Sequence, residues 1–167
     1  VTSIGGDAFR GCTGLTSVTL QPGLTTIGDC MFCECTHLTS VTIPSSVSGL
    51  GYAPFYGCTG LQSIMVELGN PNYASVEGVL FNKTWTMLIE YPGGRPGAYT
   101  IPSIVTSLGF SAFSGCNVLT SVTIPSSVTS ISDFAFSGCA GLTSVTIPSS
   151  VTSIGRWVFY GCTGLSS

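Results

Sequence analysis

The segment CMFCECTH, residues 30–37, holds the densest group of side chains that could perform chemistry. Cys30, Cys33 and His37 offer sulfur and imidazole ligands of the kind that zinc and copper(I) prefer. No second pair of such ligands stands elsewhere in the sequence to complete a zinc site. Cys35 falls at a position that the repeat described below predicts to be buried, so we expect Cys30 and Cys33 to be its chance neighbours. A metal site and a Cys30–Cys33 disulfide remain alternatives.

The sequence contains few residues from which a catalytic site could be formed. His37 is the only histidine, so a Ser/His/Asp or Cys/His arrangement would have to use it. Neither an orienting partner nor an oxyanion hole is apparent beside it. The carboxylates Asp7, Asp29 and Asp133 recur at similar places in the repeat, where they are typical of solvated turns. We therefore predict a non-catalytic protein that needs no cofactor.

Charge is unusually scarce in this chain. Only 7% of the 167 residues are charged, against about 25% in an ordinary soluble domain. The net charge is −3, and the four basic residues, Arg10, Lys83, Arg95 and Arg156, are scattered along the chain. Such a scattered distribution does not form the basic patch that nucleic-acid binding requires. No apolar run reaches the roughly 18 residues that a membrane-spanning helix needs, so we expect no such helix in this segment.

An internal repeat organises the chain. The pattern Phe-x-x-Cys-x-x-Leu occurs six times, beginning at Phe9, Phe32, Phe55, Phe113, Phe136 and Phe159. The spacing is 23 residues except across the middle, which gives units 1 to 3 (1–23, 24–46, 47–69), a long irregular unit (70–104), units 5 and 6 (105–127, 128–150) and a partial unit 7 (151–167). We expect a single domain, and a segment of a longer protein because both ends fall inside the pattern.

The repeat predicts a solenoid, either α/β or mainly β, with a ladder of parallel strands. In LTSVTIP the apolar residues alternate toward the end, which suits a strand that buries one face, and the proline then ends it. The following VTSI supplies a second inward pair, and AFxGC is expected to form a tight turn or 3₁₀ segment. One unit cannot bury its apolar side alone, whereas stacked units form a continuous core. The six repeated cysteines are expected to be reduced and buried.

Identity between units extends beyond the positions predicted to be buried. TSVTIPSSVTSI occurs at both 120–131 and 143–154, so that Ser126, Ser127, Thr129 and Ser130 have identical counterparts one period later. From the sequence alone, packing gives no reason for these polar residues to be identical. Recent duplication is favoured as its cause, with selection for a regular polar surface as the alternative.

The consensus VTSIGxxAFxGCxxLTSVTIPSS closely resembles the BspA-like, Treponema-type class of leucine-rich repeats. The long unit fits as well, because its strand-like VLFN and TMLIEYP flank a plausible hairpin at Lys83–Trp85. The resemblance implies a bacterial surface or secreted protein, with adhesion to host matrix or plasma proteins or contact between cells. The implied partner is an extracellular or host-surface protein. No ligand residue can be transferred position by position, since family members use broad surfaces.

The slots at which the units differ are the candidate binding surface. They hold aromatic residues with an occasional arginine, the types enriched at binding hot spots. We name this set the aromatic stripe: Tyr52, Tyr56, Phe110, Phe134, Arg156, Trp157 and Tyr160. The alternative is that Phe110 and Phe134 fold back over the edge of the solenoid as packing.

Two other functions are kept open. Open solenoid ends would allow self-association into a filament or surface coat. The strand face carries a lattice of Thr and Ser, from Thr16, Ser17 and Thr19 to Thr143, Ser144 and Thr146, which could bind ice or glycans. More simply, threonine favours strands and keeps a surface of low charge soluble.

Overall fold

Parallel pairing between successive units builds the molecule, which the computed structural model describes over residues 1–167. Equivalent residues lie side by side at a separation of one period: Ser3 pairs with Thr26, and Ser130 pairs with Ser153. The predicted solenoid with a parallel strand ladder is confirmed. Of the two fold classes, the mainly β alternative is correct, since the chain forms strands and turns without a helix.

Fourteen short strands make up the regular structure. They are β1 (Ser3–Ile4), β2 (Thr26–Ile27), β3 (Ser40–Ile43), β4 (Gly49–Leu50), β5 (Ser63–Val66), β6 (Tyr73–Val76), β7 (Val79–Asn82), β8 (Met87–Glu90), β9 (Gly97–Thr100), β10 (Ser107–Leu108), β11 (Leu119–Thr123), β12 (Ser130–Ile131), β13 (Ser144–Val145) and β14 (Ser153–Ile154).

Units 2, 3, 5 and 6 and the long unit each contribute one strand to each of two parallel ladders, whereas unit 1 and partial unit 7 contribute a strand only to the VTSI ladder. The LTSVTI segment gives β3–β5 and β9–β11–β13, and the VTSI segment gives β1–β2–β4 and β8–β10–β12–β14. In β3 the exposed and buried residues alternate, with Val41 and Ile43 pointing inward, as a half-buried strand requires. Both ladders are interrupted between unit 3 and the long unit. The buried side chains form two clusters, and Leu80 of the long unit joins the cluster of units 1 to 3.

The AFxGC segments form turns that stack their phenylalanine rings through the core. The rings of Phe32 and Phe55 are parallel to within 3°, with centroids 5.7 Å apart. Phe113 and Phe136 repeat this arrangement at 4.8 Å. Tyr91 stacks on Phe113 at 5.2 Å, and so takes the phenylalanine place in the long unit.

The repeated cysteines do more than fill space. The thiol of Cys58 donates to the carbonyl of Phe32 in the unit before (2.9 Å), and Cys139 does the same to Phe113 (3.0 Å). All eight cysteines are free. Burial raises the pKa of Cys58 to about 12, which keeps its thiol protonated as this bond requires. Each buried thiol therefore links two units by a hydrogen bond.

Two of the four identical polar residues outside the core, Ser127 and Thr129, also link units, which corrects for these two the expectation that packing does not demand their identity. The hydroxyl of Ser127 donates to Val105 O (2.7 Å), and its counterpart Ser150 donates to Val128 O (2.8 Å). Thr129 likewise donates to Thr106 O (3.3 Å). These residues satisfy backbone carbonyls of the preceding unit, so they recur for the same reason as the core residues do.

The long unit contains the predicted hairpin: β7 and β8 are antiparallel and flank Lys83–Trp85. The sequence did not reveal β6, which pairs with β7 and completes a three-stranded antiparallel sheet. This sheet joins the VTSI ladder through β8. Backbone bonds also connect the long unit to unit 3, from Ile64 N to Gly78 O and from Gly94 N to Leu61 O, both 2.8 Å. No helical segment reaches the length and hydrophobicity that crossing a bilayer requires.

Candidate binding surface

The metal-ligand candidates lie in two different environments. Cys33 is fully buried and its thiol faces Ala53 O at 3.3 Å, whereas His37 is exposed and its Nδ1 lies 2.6 Å from Thr13 O. Cys30 is half-buried, near Cys33. Desolvation raises the pKa of Cys33, which disfavours the thiolate that a metal would need. The structure holds no cluster of three or more His, Cys, Asp or Glu side chains suited to a metal ion.

The turn that carries the aromatic stripe has an unusual backbone. All six regular units place a non-glycine residue in the left-handed region at the same repeat position, namely Asp7, Cys30, Ala53, Ser111, Phe134 and Trp157, with φ between 45° and 59°. Such residues cost of order 1 kcal/mol each unless the surrounding structure fixes them. Bonds between units supply that constraint, as from Phe134 N to Arg156 O (2.9 Å). The stripe thus rests on a defined backbone.

Three stripe residues form a continuous row across units. The rings of Tyr52 and Phe110 meet edge to face with centroids 5.4 Å apart, and Phe110 meets Phe134 at 5.6 Å. Tyr52 is 68% exposed and Phe110 39% exposed, while Phe134 is half-buried. Phe110 and Phe134 therefore pack against neighbouring rings, as the alternative predicted, and still leave part of their surface in solvent.

A second group lies at the other end of the stripe. Trp157 and Tyr160 contact each other edge to face at 5.4 Å, and both are mostly exposed. Arg156 beside them is exposed and forms no salt bridge. Tyr56 shares its repeat position with Tyr160 and is 40% exposed. The stripe is thus brought together as a row and a separate pair, with Tyr56 outside both.

The turn carboxylates are not merely solvated, which corrects the interpretation made from the sequence. Asp29 Oδ1 accepts the backbone N–H of Tyr52 at 2.7 Å, and Asp133 Oδ1 accepts that of Arg156 at the same distance. Asp7 instead pairs with Arg10 (3.3 Å) on the exposed surface. Each of the first two carboxylates holds a stripe residue of the next unit in place.

The strand-face hydroxyl lattice is partly committed to the fold. Thr39 donates to Thr16 O (3.2 Å) and Thr143 donates to Thr120 O (3.3 Å). The outward Thr42 and Thr123 make no such bond and are exposed. The hydroxyls of Thr39 and Thr143 therefore serve the stacking of units, while the outward hydroxyls stay free.

Sequence reasoning missed a cleft beneath Tyr52 and Phe110, of about 410 Å³, with the buried Glu90 in its wall. The signal becomes readable only once the structure pairs Leu88 with Leu108, and it lies in the segment TMLIEYP. Aligning it with TSLGFSAF of unit 5 leaves the long unit two residues short and puts a glutamate where Ala112 stands.

Parallel strands stacked at a 23-residue period, with inward Leu, Val and Ile, define a leucine-rich repeat solenoid. The chain belongs to the BspA-type leucine-rich repeat family, whose model, described as a BspA type leucine rich repeat region, matches six copies over residues 1–92 and 97–167. The resemblance inferred from the repeat motif is confirmed. No curated protein matches the chain.

Solved structures of bacterial proteins share this fold. A leucine-rich repeat protein from Eubacterium ventriosum is 30% identical, with a TM-score of 0.75 over 99% of this chain and 56% of its own. The pneumococcal vaccine antigen PcpA is 26% identical, with a TM-score of 0.72 over 99% and 53%. A leucine rich cell surface protein from Faecalibacterium prausnitzii is 27% identical, with a TM-score of 0.66 over 99% and 56%. The chain spans about half the length of these proteins.

Proposed function

We propose that this chain is a non-catalytic recognition module of a bacterial surface or secreted protein, which binds proteins of a host or of neighbouring cells through the aromatic stripe. The observation that carries the proposal is the row formed by Tyr52, Phe110 and Phe134, with the Trp157–Tyr160 pair further along the solenoid. Large aromatic side chains left in solvent contribute strongly to binding when a partner desolvates them.

The scaffold suits such a role because it presents the stripe without much freedom. Inter-unit bonds from Asp29 and Asp133 fix the backbone at Tyr52 and Arg156. A surface that is already ordered loses little conformational entropy on association. The low charge adds no general attraction, so contact would depend on shape and on aromatic burial.

The family and its similar structures support the location. One similar structure is named a leucine rich cell surface protein, and another is a vaccine antigen. Placement of this chain at a cell surface, and adhesion as its activity, are part of the proposal.

Biolayer interferometry of the purified chain against a panel of extracellular-matrix and plasma proteins tests the proposal. We expect a saturable signal with at least one of them at physiological salt. Silence across the panel, from a chain whose circular dichroism spectrum shows it to be folded, would contradict the proposal. Self-association through the ends and ice or glycan binding stay predictions; light scattering and thermal hysteresis measurements test them.

A further inference from the structure

A two-residue shortening of the long unit shapes the cleft. Met87 pairs with Ser107 and Leu88 with Leu108, so the two units are in register here. Tyr91 N then donates to Ala112 O (2.7 Å), as Phe113 N does to Ala135 O (2.7 Å). Only residues 89 and 90 lie between Leu88 and Tyr91, whereas residues 109–112 lie between Leu108 and Phe113. The long unit therefore lacks the turn residues that its neighbours project.

The two missing residues leave an opening in the surface that the stacked turns of the other units form. Elsewhere the backbone N–H at the left-handed turn residue donates to the next unit, as from Cys30 to Tyr52 O (3.0 Å) and from Ser111 to Asp133 O (3.1 Å). The N–H of Ala53 has no such acceptor, because the long unit has no equivalent residue. Above the opening, Tyr52 of unit 3 and Phe110 of unit 5 touch each other.

Glu90 lies in the wall of this cleft, in the slot that Ala112 and Ala135 fill in other units. It is 3% exposed, and its carboxyl forms neither a hydrogen bond nor a salt bridge with the protein. Because no side-chain oxygen of the structure is both fully buried and unpartnered, the remaining exposure of this carboxyl is toward the cleft. No lysine, arginine or histidine lines the cleft. Desolvation raises the pKa of Glu90 well above its ordinary value. A largely desolvated carboxyl that has no partner in the protein is costly to ionise, and its usual compensation is an opposite charge.

We propose that the cleft binds the ammonium group of a lysine side chain presented by the partner protein, with Glu90 as the carboxylate that receives it. The alkyl stem would pass Leu50 and Ile89, and the rings of Tyr52 and Phe110 would cover it at the mouth. This inference rests on the proposed recognition function and specifies one contact within it.

The chemistry of the cleft favours an ammonium over a guanidinium group. An ammonium has three N–H donors and an arginine side chain has five. Glu90 supplies the single carboxylate, and the amide of Asn82 is the other strongly polar side chain of the lining. Aromatic faces near a cation add further attraction. A lysine thus leaves fewer buried donors unsatisfied than an arginine does.

Binding is expected to strengthen as pH rises. Where Glu90 is protonated in the free protein, arrival of the cation releases that proton to solvent and leaves a carboxylate–ammonium pair. The other titratable groups near Glu90 are the hydroxyls of Tyr52 and Tyr73 in the lining and the thiols of Cys58 and Cys116 behind it. Burial raises the pKa values of Tyr73, Cys58 and Cys116 above their ordinary values, so these three groups stay neutral over the range in question and the change of charge falls on Glu90.

Amide NMR titration with Nα-acetyl-lysine-N-methylamide, and with n-butylammonium chloride and n-butanol as separate probes, tests the inference. We expect saturable shifts at Ile89 and Gly109 with both ammonium probes and at least about tenfold weaker binding of butanol. Equal binding of butanol, or no saturable shift with either ammonium probe, would overturn the inference. So would binding of butylammonium alone, which would indicate a site for free amines.

Variants separate the charge from the fold. Glu90→Gln should weaken the lysine probe about tenfold or more, whereas Glu77→Gln, an equal charge change at an exposed carboxylate, should leave it unchanged. Tyr52→Leu, at a site 68% exposed, should weaken it severalfold without unfolding the chain. Unchanged affinity in Glu90→Gln, or in Tyr52→Leu should the first variant fail to fold, would refute the inference. Probe binding with a silent protein panel would instead contradict only the proposed function.

Discussion

The rings of Tyr52 and Phe110 lie 5.4 Å apart although the whole long unit, residues 70–104, separates them in the chain. The long unit passes beneath them without the two turn residues that would have kept them apart. The contact joins the stripe residues of unit 3 to those of units 5 and 6. An irregularity in the repeat thereby creates the continuous aromatic row.

Glu90, below this pair, makes stability depend on pH. Its pKa is raised above the ordinary value of 4.5, so its protonated form is favoured by folding. The contribution of Glu90 to the free energy of unfolding is therefore most favourable below about pH 4.5, where the carboxyl is protonated in both states. This contribution is lost as pH rises toward the folded-state pKa of the carboxyl. We expect Glu90→Gln to raise the free energy of unfolding by about 1 to 3 kcal/mol at pH 8 and to flatten its pH dependence.

Urea unfolding of wild type and Glu90→Gln at a series of values between about pH 5 and pH 8 measures this effect. Glu77→Gln is the control, since its carboxylate is exposed and should leave the profile unchanged. A wild-type protein whose stability rose with pH relative to Glu90→Gln would contradict the buried, unpaired state of this carboxyl.

The thiol ladder predicts a position-dependent cost for removing cysteine. Cys139 is fully buried and donates to Phe113 O at 3.0 Å, so Cys139→Ala should destabilise by about 1 to 3 kcal/mol. Cys12 is exposed and its thiol makes no such bond, so Cys12→Ala should change stability by about 0.5 kcal/mol or less. Urea unfolding under reducing conditions compares the two, and equal costs would argue against the ladder.

The hydroxyl bonds between units predict different costs at two adjacent serines. Ser127 donates to Val105 O (2.7 Å), whereas Ser126 is exposed and makes no such bond. Ser127→Ala should cost about 0.5 to 1.5 kcal/mol, and Ser126→Ala about 0.5 kcal/mol or less. Thermal and urea unfolding of both variants measure the difference. The prediction fails if Ser126→Ala is the more damaging of the two.

The regular part of this fold could be predicted from the sequence because each buried slot repeats every 23 residues. The same logic placed the hairpin at Lys83–Trp85, where two strand-like runs flank a short polar turn. The repetition of polar residues from unit to unit was harder to interpret. Ser127 and Thr129 looked free to vary, since a sequence does not show that their hydroxyls meet carbonyls of the preceding unit.

The cleft lay beyond prediction for a different reason. Its walls come from residues far apart in sequence, and its existence depends on how the long unit aligns with units 3 and 5. That alignment becomes clear only from the pairing of Leu88 with Leu108 and the stacking of Tyr91 on Phe113. The aromatic stripe was named from composition, and its use in binding stays a prediction.

The most direct test of the recognition function compares three proteins on the same biolayer interferometry panel. They are the wild type, a stripe variant (Tyr52, Tyr56, Trp157 and Tyr160 to Ser) and a strand-face control (Thr19, Thr42, Thr123 and Thr146 to Ala), all at exposed positions. The stripe variant, folded by circular dichroism, should bind at least about tenfold more weakly than wild type while the control binds normally. Undiminished binding by the stripe variant, or loss confined to the strand-face control, would contradict the role of the stripe.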